Sequence, residues 1–170
     1  GRPVVCGARD PAARRVVEET ARRRRATLLL VDRDFTADYL PPPDPASLDG
    51  GTLLFAGVAT KRRGPPPVLA TDTVAYPLAM TGRHQADNAA LAVATVHVLR
   101  GQGWSIPEKA LRAALATNRL PARIERAGTR PLVVVDAAHN VASMRSLVEA
   151  LDGALAAARA AHGPAVLVFA

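Results

Sequence analysis

The chain has 170 residues, of which 49% are hydrophobic, 22% charged and only 4% aromatic, and its formal net charge is +7. This is the composition of a globular protein whose core rests on Ala, Val and Leu. It excludes a disulfide framework, because Cys6 stands alone and reads as a small buried hydrophobe. It also excludes a membrane helix, because no apolar run approaches about 18 residues.

In chain order, Arg2 to Cys6 reads as a short buried strand. The start carries no signal-peptide pattern, so a cytoplasmic protein is expected. Asp10 is a candidate N-cap with Pro11 in the first helical position, and a helix is predicted from Pro11 to Arg25 with Val16, Val17 and Thr20 on one face. Its last turn holds the densest basic cluster, Arg22 to Arg25, where cations complement the helix dipole. No aromatic side chains interleave there to stack bases, and Lys61 and Lys109 are the only lysines. The charge therefore reads as arginine-rich coding, and no nucleic-acid partner is expected. Thr27 to Val31 is a second continuously apolar strand, and two such strands around a helix imply a parallel sheet in an α/β fold.

Pro41 to Pro45 can be neither helix nor central strand. Residues 51–80 read as antiparallel or edge strands, interrupted by a basic, proline-rich loop from Lys61 to Pro67. Helices are predicted from Gln85 to Arg100, ended by Gly101 and Gly103, and from about Pro107 to Thr117. Leu120-Pro121 breaks the pattern as a linker. Beyond it, Pro131 to Val135 is a predicted buried strand, Val141 to Ala161 a helix with Leu147, Leu151 and Leu155 spaced by four, and Ala165 to Phe169 a further strand. That is a strand–helix–strand unit of doubly wound type. The first residue is not Met and the last stretch stops within an apolar run, so both ends read as cut.

Three polar clusters stand out. Gly82 to Asn88 places Arg83, His84, Gln85, Asp87 and Asn88 at the mouth of an Ala-rich helix, where free N–H groups and a partial positive charge gather. Asn88 can meet a purine edge, having both a donor and an acceptor, or can be an ordinary residue of the helix start buried against backbone. In Leu120 to Glu125, Arg123 can reach a phosphate bidentately, or can pair with Glu125 at the surface. Asp136 to Asn140 sets Asp136, His139 and Asn140 just past a strand's carboxyl end, where open α/β sheets bind ligands. Asp136 can hold a ribose hydroxyl or a cation, His139 can contact an anion or move a proton, and Asn140 can simply cap the next helix. The spacing does not match a zinc site, and no zinc is expected.

These clusters, in this order, resemble the folylpolyglutamate/dihydrofolate synthase branch of the Mur ligase superfamily. Gly82-x-His84-Gln85-x-x-Asn88-Ala89-x-x-Ala92 is similar to its central-domain helix motif, Leu120-Pro121-Ala122-Arg123-Ile124-Glu125 to its hinge segment, and Asp136-Ala137-Ala138-His139-Asn140 to its Asp-Gly-Ala-His-Asn-Pro loop. Ala122, Ala137 and Val141 stand where that family usually has Gly, Gly and Pro. The resemblance implies residues 1–120 as part of an ATP-binding central domain with a parallel sheet, and 121–170 as the start of a Rossmann-like C-terminal domain. It implies an ATP-dependent amide ligase that adds L-glutamate to folate or dihydropteroate through an acyl phosphate. Asn88, with His84 and Gln85, is expected on the nucleotide. Arg123 is expected on its phosphates, Asp136 on its ribose or phosphates, and His139 near the γ-phosphate and the incoming glutamate. No G-x-x-x-x-G-K-[ST] phosphate loop occurs in the 170 residues, and no magnesium ligands are assigned among them. ATP and Mg2+ are the expected cofactors, in a monomeric chain that does not turn over by itself. Alternatives are another Mur-type ligase, of peptidoglycan-precursor or cyanophycin type, and a non-catalytic basic binding module.

Overall fold

A computed structural model describes residues 1–57 and 72–168, apart from the side chain of His162. The expected basic loop at 61–67 lies outside the described residues.

Two apolar strands, β1 (Val4–Cys6) and β2 (Leu28–Leu30), pair in parallel in the register Val4 to Leu28. The helix between them, α1 (Pro11–Arg23), is capped as expected, the Asp10 side chain accepting from the Ala13 N–H. Its buried face differs from the expected one. Val17 and Ala21, one turn apart, pack on Leu28, Leu30 and Cys6, whereas Val16 is 63% exposed. The α1 stripe is therefore rotated by one residue from the predicted one.

An antiparallel sheet follows, in the order β3 (Phe35–Leu40), β4 (Gly51–Gly57), β5 (Val74–Leu78). The antiparallel strands expected over residues 51–80 form as β4 and β5 within the described residues, and β3 precedes the expected range. Pro77 sits on β5, an edge strand, where a missing N–H leaves no ladder bond open. Two long helices cover this sheet. The first, α2 (Arg83–Gly101), is rich in Ala and buries Ala86, Ala90, Val93 and Ala94 against Phe35, Leu53, Phe55 and Tyr76. The second, α3 (Glu108–Thr117), stands against β5, with the Ala79 N–H donating to the Leu115 carbonyl and the Arg112 guanidinium 4.8 Å from the Tyr76 ring centre.

The last part is a hairpin and a helix. β6 (Glu125–Thr129) and β7 (Leu132–Val135) pair antiparallel, and α4 (Val141–His162) follows. The expected strand at 131–135 thus forms, but it is not buried. Leu132, Val133 and Val135 are each more than 40% exposed, because β7 has a single ladder partner and α4 covers only Val134. The expected strand from Ala165 does not form over 165–168. Those residues are exposed and lie in no ladder, and Phe169 is outside the described residues. The strand–helix–strand unit is therefore not completed among the described residues. α4 docks on the body through Leu147, Ala150, Leu151 and Ala154, packed with Leu48 and Ile124. Among the described residues, no helix is long and apolar enough to cross a membrane.

Candidate functional site

The start of α2 is held from below by two hydroxyl groups, that of buried Thr81 and that of partly buried Tyr39. Thr81 Oγ1 donates to the Leu48 carbonyl (2.6 Å) and accepts from the Gly50 N–H (3.0 Å). The Tyr39 hydroxyl donates to the Gly50 carbonyl (3.0 Å) and accepts from the Gly82 N–H (3.2 Å). Gly82 is the N-cap at φ +107, where a Cβ would stand 3.0 Å from both the His84 ring and the Ala150 methyl. Glycine is required there on both counts. No side chain caps the helix, so its first-turn N–H groups are left without a side-chain acceptor.

His84 is half-buried over Gly82. Burial lowers its pKa below the usual 6.5, and the nearby Arg123 guanidinium pushes the same way, while Asp136 and Asp87 oppose them. Residues from all three sequence clusters therefore lie within electrostatic reach of one imidazole. Gln85 faces inward and is 6% exposed. Asn88 lies one turn on, exposed, and its side chain has no hydrogen-bond partner among the described residues. It is not buried against backbone. Asp87 is engaged with Arg9, at 3.1 Å, and Arg9 in turn reaches Asp32.

The hinge segment bends through two left-handed residues, Ala122 at φ +52 and Ile124 at φ +50. This conformation costs L-residues roughly 1–2 kcal/mol each. It also shows why the first of these positions suits glycine. Asp136 secures the bend. Its Oδ2 accepts from the Ile124 N–H (2.9 Å) and its Oδ1 from the Ala138 N–H (2.8 Å), and the Ala137 N–H donates to the Ala122 carbonyl (2.9 Å). Hydrogen bonds to a charged group contribute about 1.5–3 kcal/mol each, enough to offset the strain at Ile124. Ala137 is not in the left-handed region, so a side chain is tolerated at that position.

Arg123 does not pair with Glu125. The Glu125 Oε2 accepts from the Ala122 N–H (2.8 Å), and the Arg123 guanidinium has no partner among the described residues. In the 136–140 loop, His139 Nδ1 lies 3.0 Å from the Ala137 carbonyl, which puts the proton on Nδ1 and leaves Nε2 directed away. Asn140 caps α4 in a reciprocal box with Ser143.

Two clefts meet at Thr81. One, of about 550 Å³, lies between the start of α2, the 41–47 loop and α4, and includes His84, Asp87, Glu149 and Asp152. The other, of about 320 Å³, is lined by Arg119, Arg123 and Arg126. Of these three arginines, Arg119 and Arg126 approach Asp49. The fold thus sets Asp136 and Arg123 within electrostatic reach of His84, leaves Asn88 and His139 exposed, and places Gln85 in the interior. Thr81, Tyr39 and Glu125 complete the arrangement. No sequence pattern marks Thr81 or Tyr39, whose importance lies in burial and pairing. Among the described residues, no group of three or more His, Cys, Asp or Glu forms a cation site.

No protein-family model matches the chain. Over 76 residues it is 41% identical to the dihydrofolate synthase/folylpolyglutamate synthase of Mycobacterium tuberculosis, a match that covers 44% of this chain and 16% of that protein. It is 31% identical over 152 residues to the folylpolyglutamate synthase of Lacticaseibacillus casei, covering 89% of this chain and 32% of that protein. Its fold matches the solved structure of Mycobacterium tuberculosis folylpolyglutamate synthase complexed with ADP at a TM-score of 0.67 and 28% identity, over 87% of this chain and 29% of that one. The chain thus spans a third or less of the length of these relatives. Curated and structural relatives both point to the folylpolyglutamate/dihydrofolate synthase family.

Proposed function

We propose that the chain supplies one side of the nucleotide site of an ATP-dependent ligase that adds L-glutamate to folate or dihydropteroate through an acyl phosphate. The observation that carries this reading is the convergence of an unpaired Arg123 with His84 and Asp136 at the uncapped start of α2. The donor set suits a nucleotide, since a free guanidinium, open helix-terminal N–H groups and an exposed carboxamide are what phosphate and purine take. In this reading residues 1–120 belong to the central domain and 121–170 to the C-terminal one, in a monomeric, cytoplasmic protein that needs neither nucleic acid nor membrane.

The bound ATP would supply the phosphoryl group that activates the substrate carboxylate. Asn88 reads the adenine edge with its amide. Arg123 binds phosphate oxygens and stabilises their charge as it redistributes. Asp136 turns the lone pairs left by its two backbone bonds to the ribose or phosphates. His84 and Gln85 form the helix start on which the nucleotide rests. His139, its Nδ1 proton held by Ala137, takes or returns a proton at Nε2 beside the incoming glutamate. None of these residues is assigned to Mg2+, which would reach the nucleotide through other ligands and would offset phosphate charge there.

ATP-dependent incorporation of labelled L-glutamate tests the reading. The 170-residue chain, which contains no Walker-type phosphate loop, is expected to bind ATP without turnover. Arg123→Ala is expected to weaken that binding about tenfold, as for one lost charge-assisted contact. Clear turnover by this chain alone, or binding indifferent to Arg123, contradicts it.

A further inference from the structure

The Arg123 guanidinium has no partner among the described residues, although Glu125 and Asp136 both bond the backbone on either side of it. A guanidinium next to a free carboxylate ordinarily forms a forked pair with it. Here one oxygen of each carboxylate is directed at a backbone N–H next to the arginine rather than at its guanidinium. Glu125 Oε2 holds the N–H of Ala122, and Asp136 Oδ2 holds that of Ile124. Those are the two residues in the left-handed region, with Arg123 between them. The third acid near this cleft, Asp49, faces Arg119 and Arg126 instead.

We propose that Glu125 and Asp136 form a two-carboxylate clamp on the hinge turn, which fixes its left-handed form and keeps the Arg123 guanidinium free for an anionic ligand in the cleft. Glu125 is thereby a positioning residue, acting through Arg123. The ligand side of this statement rests on the proposed nucleotide site. Because the two carboxylates hold the N–H groups of the residues before and after Arg123, losing either releases one end of the turn. A released carboxylate also becomes a competitor for the guanidinium.

The test uses the 170-residue chain with Glu125→Ala, Glu125→Gln, Arg123→Ala and the double variant Glu125→Ala/Arg123→Ala. Amide exchange is followed at Ala122 by NMR, and ATP binding by calorimetry. Gln keeps an acceptor oxygen where Glu125 has one. The Ala122 amide is expected to exchange at least about tenfold faster in Glu125→Ala and to stay near the parent rate in Glu125→Gln. ATP affinity is expected to fall about equally in Glu125→Ala and Arg123→Ala, to be retained in Glu125→Gln, and to be no weaker in the double variant than in Arg123→Ala. Unchanged Ala122 exchange in Glu125→Ala, or losses that multiply in the double variant, overturns the clamp. A parent chain that binds no ATP, or an Arg123→Ala variant with unchanged affinity, instead overturns the nucleotide reading, with the exchange rates still deciding the clamp.

Discussion

The body built on β3–β4–β5 and the part beyond residue 120 are held together in different ways. In the body, Tyr76, Phe35, Phe55, Leu29, Leu30, Leu53 and Val93 are each less than 2% exposed, and α2 packs its Val93 into the cluster that holds Phe35, Leu53, Phe55 and Tyr76. Among the described residues of the later part only Ile124 and Ala154 are buried, and the third member of their cluster, Leu48, belongs to the body. The candidate site straddles this boundary. His84, Gln85 and Asn88 stand on the densely packed side, whereas Arg123, Asp136 and His139 stand on the lightly packed one. The geometry between the two sets depends on a small cluster, two glycine contacts and the hinge bonds. It can change at far lower cost than unfolding the body.

The contrast is broken most strongly by core truncation. Phe55→Ala is expected to cost about 3–5 kcal/mol, because a stacked ring 5.7 Å from Phe35 is replaced by a cavity. Leu132→Ala, at a half-exposed site, is expected to cost about 0.5 kcal/mol or less. Urea denaturation of the two variants checks this, and equal losses would erase the distinction.

An intermediate effect is expected at Gly153. A Cβ there would overlap the Pro45 carbonyl oxygen, so Gly153→Val forces α4 away from the 41–47 loop. Overpacking of this kind costs about 1–3 kcal/mol. Hydrogen exchange is expected to rise along α4 and stay unchanged in α2 and β4. A uniform rise would show that the two parts unfold as one.

The smallest effect is electrostatic and reads the junction itself. Burial and Arg123 hold the His84 pKa below 6.5, so the folded chain favours the neutral ring. The unfolded chain then binds more protons as pH falls. The contribution of His84 to stability is complete above pH 6.5 and is lost as pH drops through 6.5 toward the lower folded value. An NMR titration of the His84 ring is expected to give a midpoint below 6.5 that rises in Arg123→Ala. A midpoint indifferent to Arg123 would separate the two halves of the site.

Much of the fold is legible in the residues. Asp10 before Pro11, Asn140 before Val141 and the glycines after Arg100 mark helix ends that the structure bears out to within two residues. β3 is not legible. Its sequence, Phe-Thr-Ala-Asp-Tyr-Leu, places small and charged residues where β4 supplies the pairing, so only Phe35 and Ala37 carry the buried face. β6 is hidden for a similar reason. Glu-Arg-Ala-Gly-Thr has no apolar alternation and is a strand because β7 pairs with it. β7 misleads in the opposite direction, since continuous apolar character is not the same as burial when one face has no cover. In the site, the three polar clusters are visible as sequence. Their convergence depends on long-range contacts such as Gly82 against Ala150, and the occupation of Glu125 and Asp136 by backbone N–H groups depends on two left-handed residues that side-chain patterns do not announce.

The central claim is that three segments far apart in the chain form one nucleotide surface. Titrating the isotope-labelled chain with ATP while following backbone amide shifts tests it most directly. The expected result is a saturable set of shifts confined to residues 82–88, 121–125 and 136–140, reduced together by Arg123→Ala. Shifts confined to a single segment, shifts centred on β1 and α1, or no shifts at all would contradict it.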